Sequence, residues 1–266
     1  MINNKLGRVL LILLLTLGLG QEGITASSHL YFYNPESNLN DFRSLKTGFD
    51  SYLSSAKSAY QFQPFDNQET FEQFLKTHKN DVFFMPSWYY QDLVKQGDIN
   101  LQPILVGTLN GEFTYTKVLS TKKNIKNIGE LQGKRIASAA NQDYTKKMLE
   151  NMAEQQKLKL NKAFKMLTVP KDIDALMSVL FGMAQGALTA RTSLTTLATL
   201  NPRKYRLLHQ QAESQAIMLP LVVVYKPIKK STTKQLLNVI ENMPNSPIGR
   251  EILGMLGLDG WKKISQ

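Results

Sequence analysis

Few residues in this chain have types and spacing that could do chemistry, and those that do suit holding an anion better than breaking a bond. The stretch Asn127 to Leu149 reads as a short helical turn, a tight turn at Gly133, a buried strand from Arg135 to Ser138, a polar loop from Ala139 to Gln142, and a helix opening near Asp143. A strand that delivers a polar loop onto a helix start presents unpaired backbone N–H groups and the positive end of the helix dipole at one point. Ser138, Asn141, Tyr144 and Thr145 are therefore candidate ligand residues, although the same order fits an ordinary strand-to-helix connection. A second such loop, Ala190 to Ser193, follows the short strand Ala187 to Thr189 and carries Arg191. Its planar fork could hold an anion with two donors or form a surface ion pair. A third surface lies where the strand Asp81 to Met85 runs into Ser87, Trp88 and Tyr89, with Tyr33 at the end of the first strand. Ligands of open α/β sheets sit outside the carboxyl ends of strands, but Trp88 and Tyr89 also fit the first turn of a packed helix.

Catalysis has little to stand on. The three histidines, His29, His78 and His209, are scattered, and neither a His-Glu-x-x-His nor a Gly-x-Ser-x-Gly pattern occurs. The chain has no cysteine, hence no disulfide, thiolate metal site or lipid-modified cysteine. No catalytic residue, metal ligand or cofactor is expected, and the reading is of a binding protein and not an enzyme.

The surroundings of the site follow from composition. Of 266 residues, 42% are hydrophobic and 20% charged, a globular balance that allows one large domain or two lobes. Lys5 and Arg8, the apolar run Val9 to Leu19, and the small residues Thr25 to Ser28 follow the order of a secretory signal over residues 1–28, either cleaved or kept as an anchor. A periplasmic protein is expected. The net charge of +11 favours anionic partners, but export and the lack of a basic recognition helix exclude nucleic acid.

The elements that must position the candidates alternate as in an α/β protein with a largely parallel sheet. Strands are expected at Leu30 to Tyr33, Tyr60 to Phe65, Asp81 to Met85, Leu101 to Gly107, Phe113 to Ser120, Ala163 to Val169, Tyr205 to His209 and Leu219 to Tyr225. Leu45, Phe49, Tyr52 and Leu53 recur at the spacing of one buried helix face. Asp66 and Glu69 read as a capping box. Asp172 and Asp174 suit the first turn of a helix, where carboxylates meet its dipole favourably. Asn110-Gly111 marks a turn, and Ser246-Pro247 an N-cap with proline at the first helical position. The tail after residue 230 reads as helical.

Three pieces in order behind a signal peptide, Leu131-x-Gly133-Lys134-Arg135-Ile136-Ala137, the run Phe164 to Thr189, and Leu219-Pro220-Leu221-Val222-Val223-Val224, resemble the phosphate/phosphite/phosphonate-binding periplasmic solute-binding proteins of ABC transporters. The likeness spans roughly residues 29–258. It implies a two-lobed type II periplasmic-binding fold with mixed, mostly parallel sheets flanked by helices and a ligand in the cleft between lobes. Lobe one would comprise 29–112 and 215–266, lobe two 113–214, with crossings near Asn110 to Tyr115 and Gln211 to Met218. The resemblance further implies a monomeric receptor for a small oxyanion or anionic organic solute, partnered by an inner-membrane ABC permease. A sensory or partner-binding subunit of the same fold is the alternative. Family members hold the anion on a serine-rich loop after the Gly-Lys-Arg strand. Here that loop is Ala139 to Thr145, with Asn141, Asp143 and Tyr144 in place of small hydroxyl residues, and a carboxylate near an anion is unfavourable. An aromatic wall of Trp88, Tyr89 and Tyr144 favours an organic solute over bare phosphate.

Overall fold

The computed structural model describes residues 28–36, 42–97, 99–227 and 231–264; the expected leader lies outside the described residues except for Ser28. Two sheets carry the fold. The first contains six strands in the order β13-β4-β12-β3-β1-β2: β1 (Ser28–Tyr33), β2 (Tyr60–Phe65), β3 (Val82–Met85), β4 (Leu101–Thr108), β12 (Leu221–Tyr225) and β13 (Gly260–Lys263). The second contains five in the order β10-β6-β9-β7-β8: β6 (Lys117–Lys122), β7 (Arg135–Ser138), β8 (Lys165–Thr168), β9 (Gly186–Ala190) and β10 (Leu208–Glu213). A two-stranded antiparallel ribbon, β5 (Thr114–Tyr115) with β11 (Ile217–Met218), lies on both connections between them.

Both sheets are mixed. Parallel pairing is confined to β2-β1-β3 and β8-β7-β9, while β12, β4, β13, β6 and β10 pair antiparallel. The β-branched run of β12 sits between β3 and β4, and Leu221, Val222, Val223 and Val224 are all buried. That is what a strand covered on both faces needs, and it explains why its residues do not alternate apolar with polar. Pro64 is tolerated within β2 because β2 is an edge strand, where a missing N–H breaks no inner ladder.

Helices cover both sheets. Helix α1 (Phe42–Ser55) buries Leu45, Phe49, Tyr52 and Leu53, the face expected from their spacing. Helix α2 (Gln68–Thr77) follows, capped not by Asp66 but by Asn67, whose side-chain oxygen accepts from the Thr70 N–H at 2.9 Å. The helix starts one residue later than a box at Asp66 requires, so Asn67 is the side chain in reach of its third N–H. Helices α3 (Ser87–Lys95), α4 (Gln142–Gln155), α5 (Asp172–Leu180) and α6 (Arg191–Leu200) each start directly after a strand or a short loop. Asn201 and Pro202 then open another turn of helix, α7 (Pro202–Tyr205), with Asn201 accepting from the Lys204 N–H at 3.1 Å. The strand expected at Tyr205 to His209 therefore begins only at Leu208. After α8 (Ser231–Glu241) and α9 (Pro247–Met255) the tail is not wholly helical, because Gly260–Lys263 adds an edge strand to β4. Four residues with two exposed lysines give no strand period to read.

The first sheet's core is aromatic. Tyr31 and Tyr33 of β1 are buried, and burial pushes both phenols up to about 12, helped at Tyr31 by Asp81 and at Tyr33 by Asp143 and Glu72. The folded chain thus holds these protons more tightly than the unfolded one, whose phenols titrate near 10. Stability is at its full value below pH 10 and should fall as pH rises from about 10 through about 12. Circular dichroism across that range should show alkaline unfolding, and the double variant Tyr31→Phe, Tyr33→Phe should flatten the slope. An unchanged slope would show that other groups drive it.

Candidate functional site

A cavity of about 570 Å³ opens between the two sheets beside the candidate residues. Its walls come from the turn after β1 (Asn34, Glu36), from the ribbon and start of β6 (Tyr115, Thr116, Lys117), from the start of α6 (Ala190, Arg191, Thr192), and from Leu219 and Pro220 ahead of β12. Two smaller spaces of about 260 and 150 Å³ lie on the other side of that turn, where Tyr33 and Pro35 meet Asn141 at the head of α4. All three spaces border Asn34, Pro35 or Glu36, so the turn occupies the middle of the cleft.

The local chemistry explains how each side chain is held. β7 ends in Ser138, and Asn141 caps α4 by accepting from the Tyr144 N–H at 2.9 Å. The expected tight turn before β7 is present, with Gly133 at a φ of +72°, a conformation that disfavours residues with a Cβ. The Asn141 N–H, however, donates to the Pro35 carbonyl at 3.0 Å. The N-terminus of α4 is thus bound by a carbonyl of the chain itself. Trp88 and Tyr89 lie in the first turn of α3, the alternative left open by the sequence. The Trp88 and Tyr144 rings meet across the cleft at 5.2 Å, and Lys147 of α4 pairs with Asp92 of α3 while lying over the Trp88 ring at 5.2 Å.

The nine residues expected at the site fall into three groups. Trp88, Asn141 and Tyr144 meet around the turn, and Tyr33 and Tyr89 border the smaller spaces, Tyr33 stacked on Phe71 and Tyr89 donating to Glu72 at 2.8 Å. Ser87, Ser138 and Thr145 are buried with their hydroxyls engaged by backbone: Ser87 donates to the Met218 carbonyl at 2.6 Å, Ser138 accepts from the Ala140 N–H at 3.2 Å, and Thr145 donates to the Asn141 carbonyl at 2.8 Å. Arg191 lines the large cavity but its guanidinium is held by the Glu213 carboxylate, with a further bond to Gln210 at 3.1 Å. Those hydrogen bonds raise the Arg191 pKa and lower that of Glu213.

Three residues that sequence reading missed complete the arrangement. Glu36 is half-buried, and its carboxylate accepts from Trp88 Nε1 at 2.7 Å and from the Tyr115 hydroxyl. The Tyr144 hydroxyl stands 3.5 Å from that of Tyr115. Burial first, then the charge of Glu36, hold both phenols well above their ordinary pKa, so both remain donors at any physiological pH. Lys117 is 7% exposed, with Nζ at 5.6 Å from the ring centres of both Tyr115 and Tyr144. Among the described residues Lys117 forms no ion pair. The available signal was position: Glu36 lies in the polar loop at the end of β1, and Lys117 just beyond the expected crossing at Asn110 to Tyr115.

Chemically, the cleft gathers an indole N–H, two phenolic donors and a nearly buried ammonium, beside the apolar surface of Leu109, Leu219 and Pro220. That is a donor set for an oxyanion with an apolar neighbour, and among the described residues no cluster of three or more acidic or histidine groups could hold a metal.

Two mixed sheets joined through a short ribbon, with a donor-rich cleft between them, define a two-lobed α/β solute-binding protein. The family model described as the periplasmic substrate-binding protein of phosphonate ABC transporters matches residues 35–266, and the chain belongs to that family. No curated protein matches the sequence. Among solved structures, PhnD1 from Prochlorococcus marinus in complex with methylphosphonate is similar at a TM-score of 0.60 and 16% identity, covering 90% of this chain and 93% of that one. A binding protein component of an ABC phosphonate transporter from Pseudomonas aeruginosa is similar at 0.60 and 13%, covering 90% and 82%. XAC2383 from Xanthomonas citri, bound to ATP, is similar at 0.62 and 12%, covering 90% and 92%. At these identities the likeness is one of fold.

Proposed function

We propose that the chain is an exported, monomeric receptor that captures a small organic solute bearing an oxyanion, of the phosphonate class, and delivers it to an ABC permease in the inner membrane. Lobe one is taken as 29–112 with 215–266 and lobe two as 113–214, hinged at the ribbon. Closure then follows from a ligand touching both lobes at once. The observation that carries the reading is Lys117: a nearly buried cation, without an ion pair among the described residues, lining a cavity of about 570 Å³. Burying a charge is costly unless it is paired, and an anionic ligand would supply the pair. The anion is placed at Lys117 with the Tyr115 and Tyr144 hydroxyls, and its organic part against Leu109, Leu219 and Pro220. Bare phosphate would leave most of that apolar wall uncovered. Trp88 of α3 with Asn141 and Tyr144 at the head of α4 form a second wall, with Tyr33 and Tyr89 behind it, and Ser87, Ser138 and Thr145 hold the loops that carry it.

A thermal-shift screen against phosphate, phosphite, methylphosphonate, longer alkyl phosphonates, sulfate, and neutral and cationic organic solutes tests this. A ligand at one hundred times its dissociation constant stabilises by about 2.7 kcal/mol. The expected result is a shift for phosphonates that exceeds that for phosphate and sulfate. Shifts confined to neutral or cationic solutes would refute the assignment.

A further inference from the structure

We infer that Glu36 sets the charge selectivity of the cleft: its carboxylate is an internal occupant of the oxyanion position, which an anionic ligand must displace to bind. The inference rests on reading the cleft as an anion site. Glu36 accepts from two donors carried by different parts of the molecule, Trp88 Nε1 of α3 at 2.7 Å and the Tyr115 hydroxyl of the ribbon, and it lines the large cavity that Lys117 also lines. A carboxylate and a phosphonate ask for the same partners, N–H and O–H groups aimed at anionic oxygens. One residue earlier, the buried Pro35 turns its carbonyl onto the Asn141 N–H at the head of α4, at 3.0 Å. The turn therefore engages donors of α3, the ribbon and α4 together, as a solute spanning the cleft would.

Two consequences follow. A second anion beside Glu36 would meet like charge at short range, so it cannot simply add to the arrangement. It must take over the Trp88 and Tyr115 donors while Glu36 rotates towards water. The cost of releasing Glu36 is the same whatever anion replaces it, so it lowers the affinity of every anion by one common factor and leaves neutral solutes that avoid these donors untouched. The turn also holds the cleft together, since Pro35, Glu36 and their donors belong to elements packed on different sheets.

The test uses the full-length protein and its Glu36→Gln and Glu36→Ala variants, with methylphosphonate and inorganic phosphate as probes. Calorimetric titration should show both anions held about tenfold or more tightly by the variants, the scale of one charge-assisted hydrogen bond no longer competed for. Small-angle X-ray scattering before any anion is added should show a larger radius of gyration for Glu36→Ala. Methylphosphonate bound no more tightly by either variant than by the wild type, or identical scattering from all three proteins, overturns the inference and leaves the receptor reading in place. Expansion of Glu36→Ala with no anion binding by any of the three overturns the oxyanion reading instead, and leaves Glu36 as the tie across the cleft.

Discussion

Replacement of Lys117 by Met should weaken methylphosphonate binding by about ten- to a hundredfold while leaving the fold intact. Lys117 opens β6, where its N–H is taken by Ser214 Oγ at 3.0 Å, so the backbone geometry does not depend on its side chain. Met keeps an unbranched apolar stem and removes the ammonium, with its charge and donors, that lies 5.6 Å from the Tyr115 and Tyr144 ring centres. A hydrogen bond to a charged group contributes about 1.5 to 3 kcal/mol, which spans about one to two decades in dissociation constant. Arg191→Ala should cost less, because the Arg191 charge is already neutralised by Glu213 and an anion must compete for it. Calorimetry on the two variants gives the order directly. A larger loss at Arg191 than at Lys117 would place the anion at the head of α6 instead.

The second large effect concerns stability. Phe62 of β2 is fully buried, stacked on Phe49 of α1 at 4.0 Å with an angle of 8° between rings, and tilted against Phe32 of β1 at 5.6 Å. Truncation to Ala leaves a cavity between a helix and two strands that cannot close without moving all three. Such Phe→Ala changes cost about 3 to 5 kcal/mol, a large share of a domain stability of about 5 to 15 kcal/mol. Urea unfolding of Phe62→Ala should show a lower midpoint at unchanged slope. Because Phe62 faces the helix layer and not the cleft, the folded fraction should bind methylphosphonate with wild-type affinity. A loss below about 1 kcal/mol would mean that the α1 side of the sheet packs loosely.

The sheets and most helices were legible in the sequence because their signals are local. The run Leu221 to Val224 and the buried face of α1 are periodic, and Ser246 is a cap whose partner lies three residues on. The edge strand Gly260–Lys263 was not legible, since its place depends on β4, more than 150 residues earlier. The cleft divides in the same way. The head of α4 and the Trp88 turn could be read from their own stretches. What fills the head of α4 could not, because the Pro35 carbonyl reaches it from the other end of the first half of the chain. Lys117 reads as one lysine among many until Tyr115 and Tyr144 close around it, and Arg191 reads as a fork for either an anion or an ion pair until Glu213 arrives from β10 and settles it as the pair. Burial and pairing of charges are properties of the assembled fold, and at this site they decide which cation remains for a ligand.

The most direct test of the account is a crystal structure of the protein with saturating methylphosphonate. Phosphonate oxygens are expected within hydrogen-bond distance of Lys117 Nζ and the Tyr115 hydroxyl, the methyl group facing Leu219 and Pro220, and the Glu36 carboxylate turned away from Trp88 Nε1. Methylphosphonate bound outside the cleft, with Glu36 still on Trp88 and Tyr115, would contradict it.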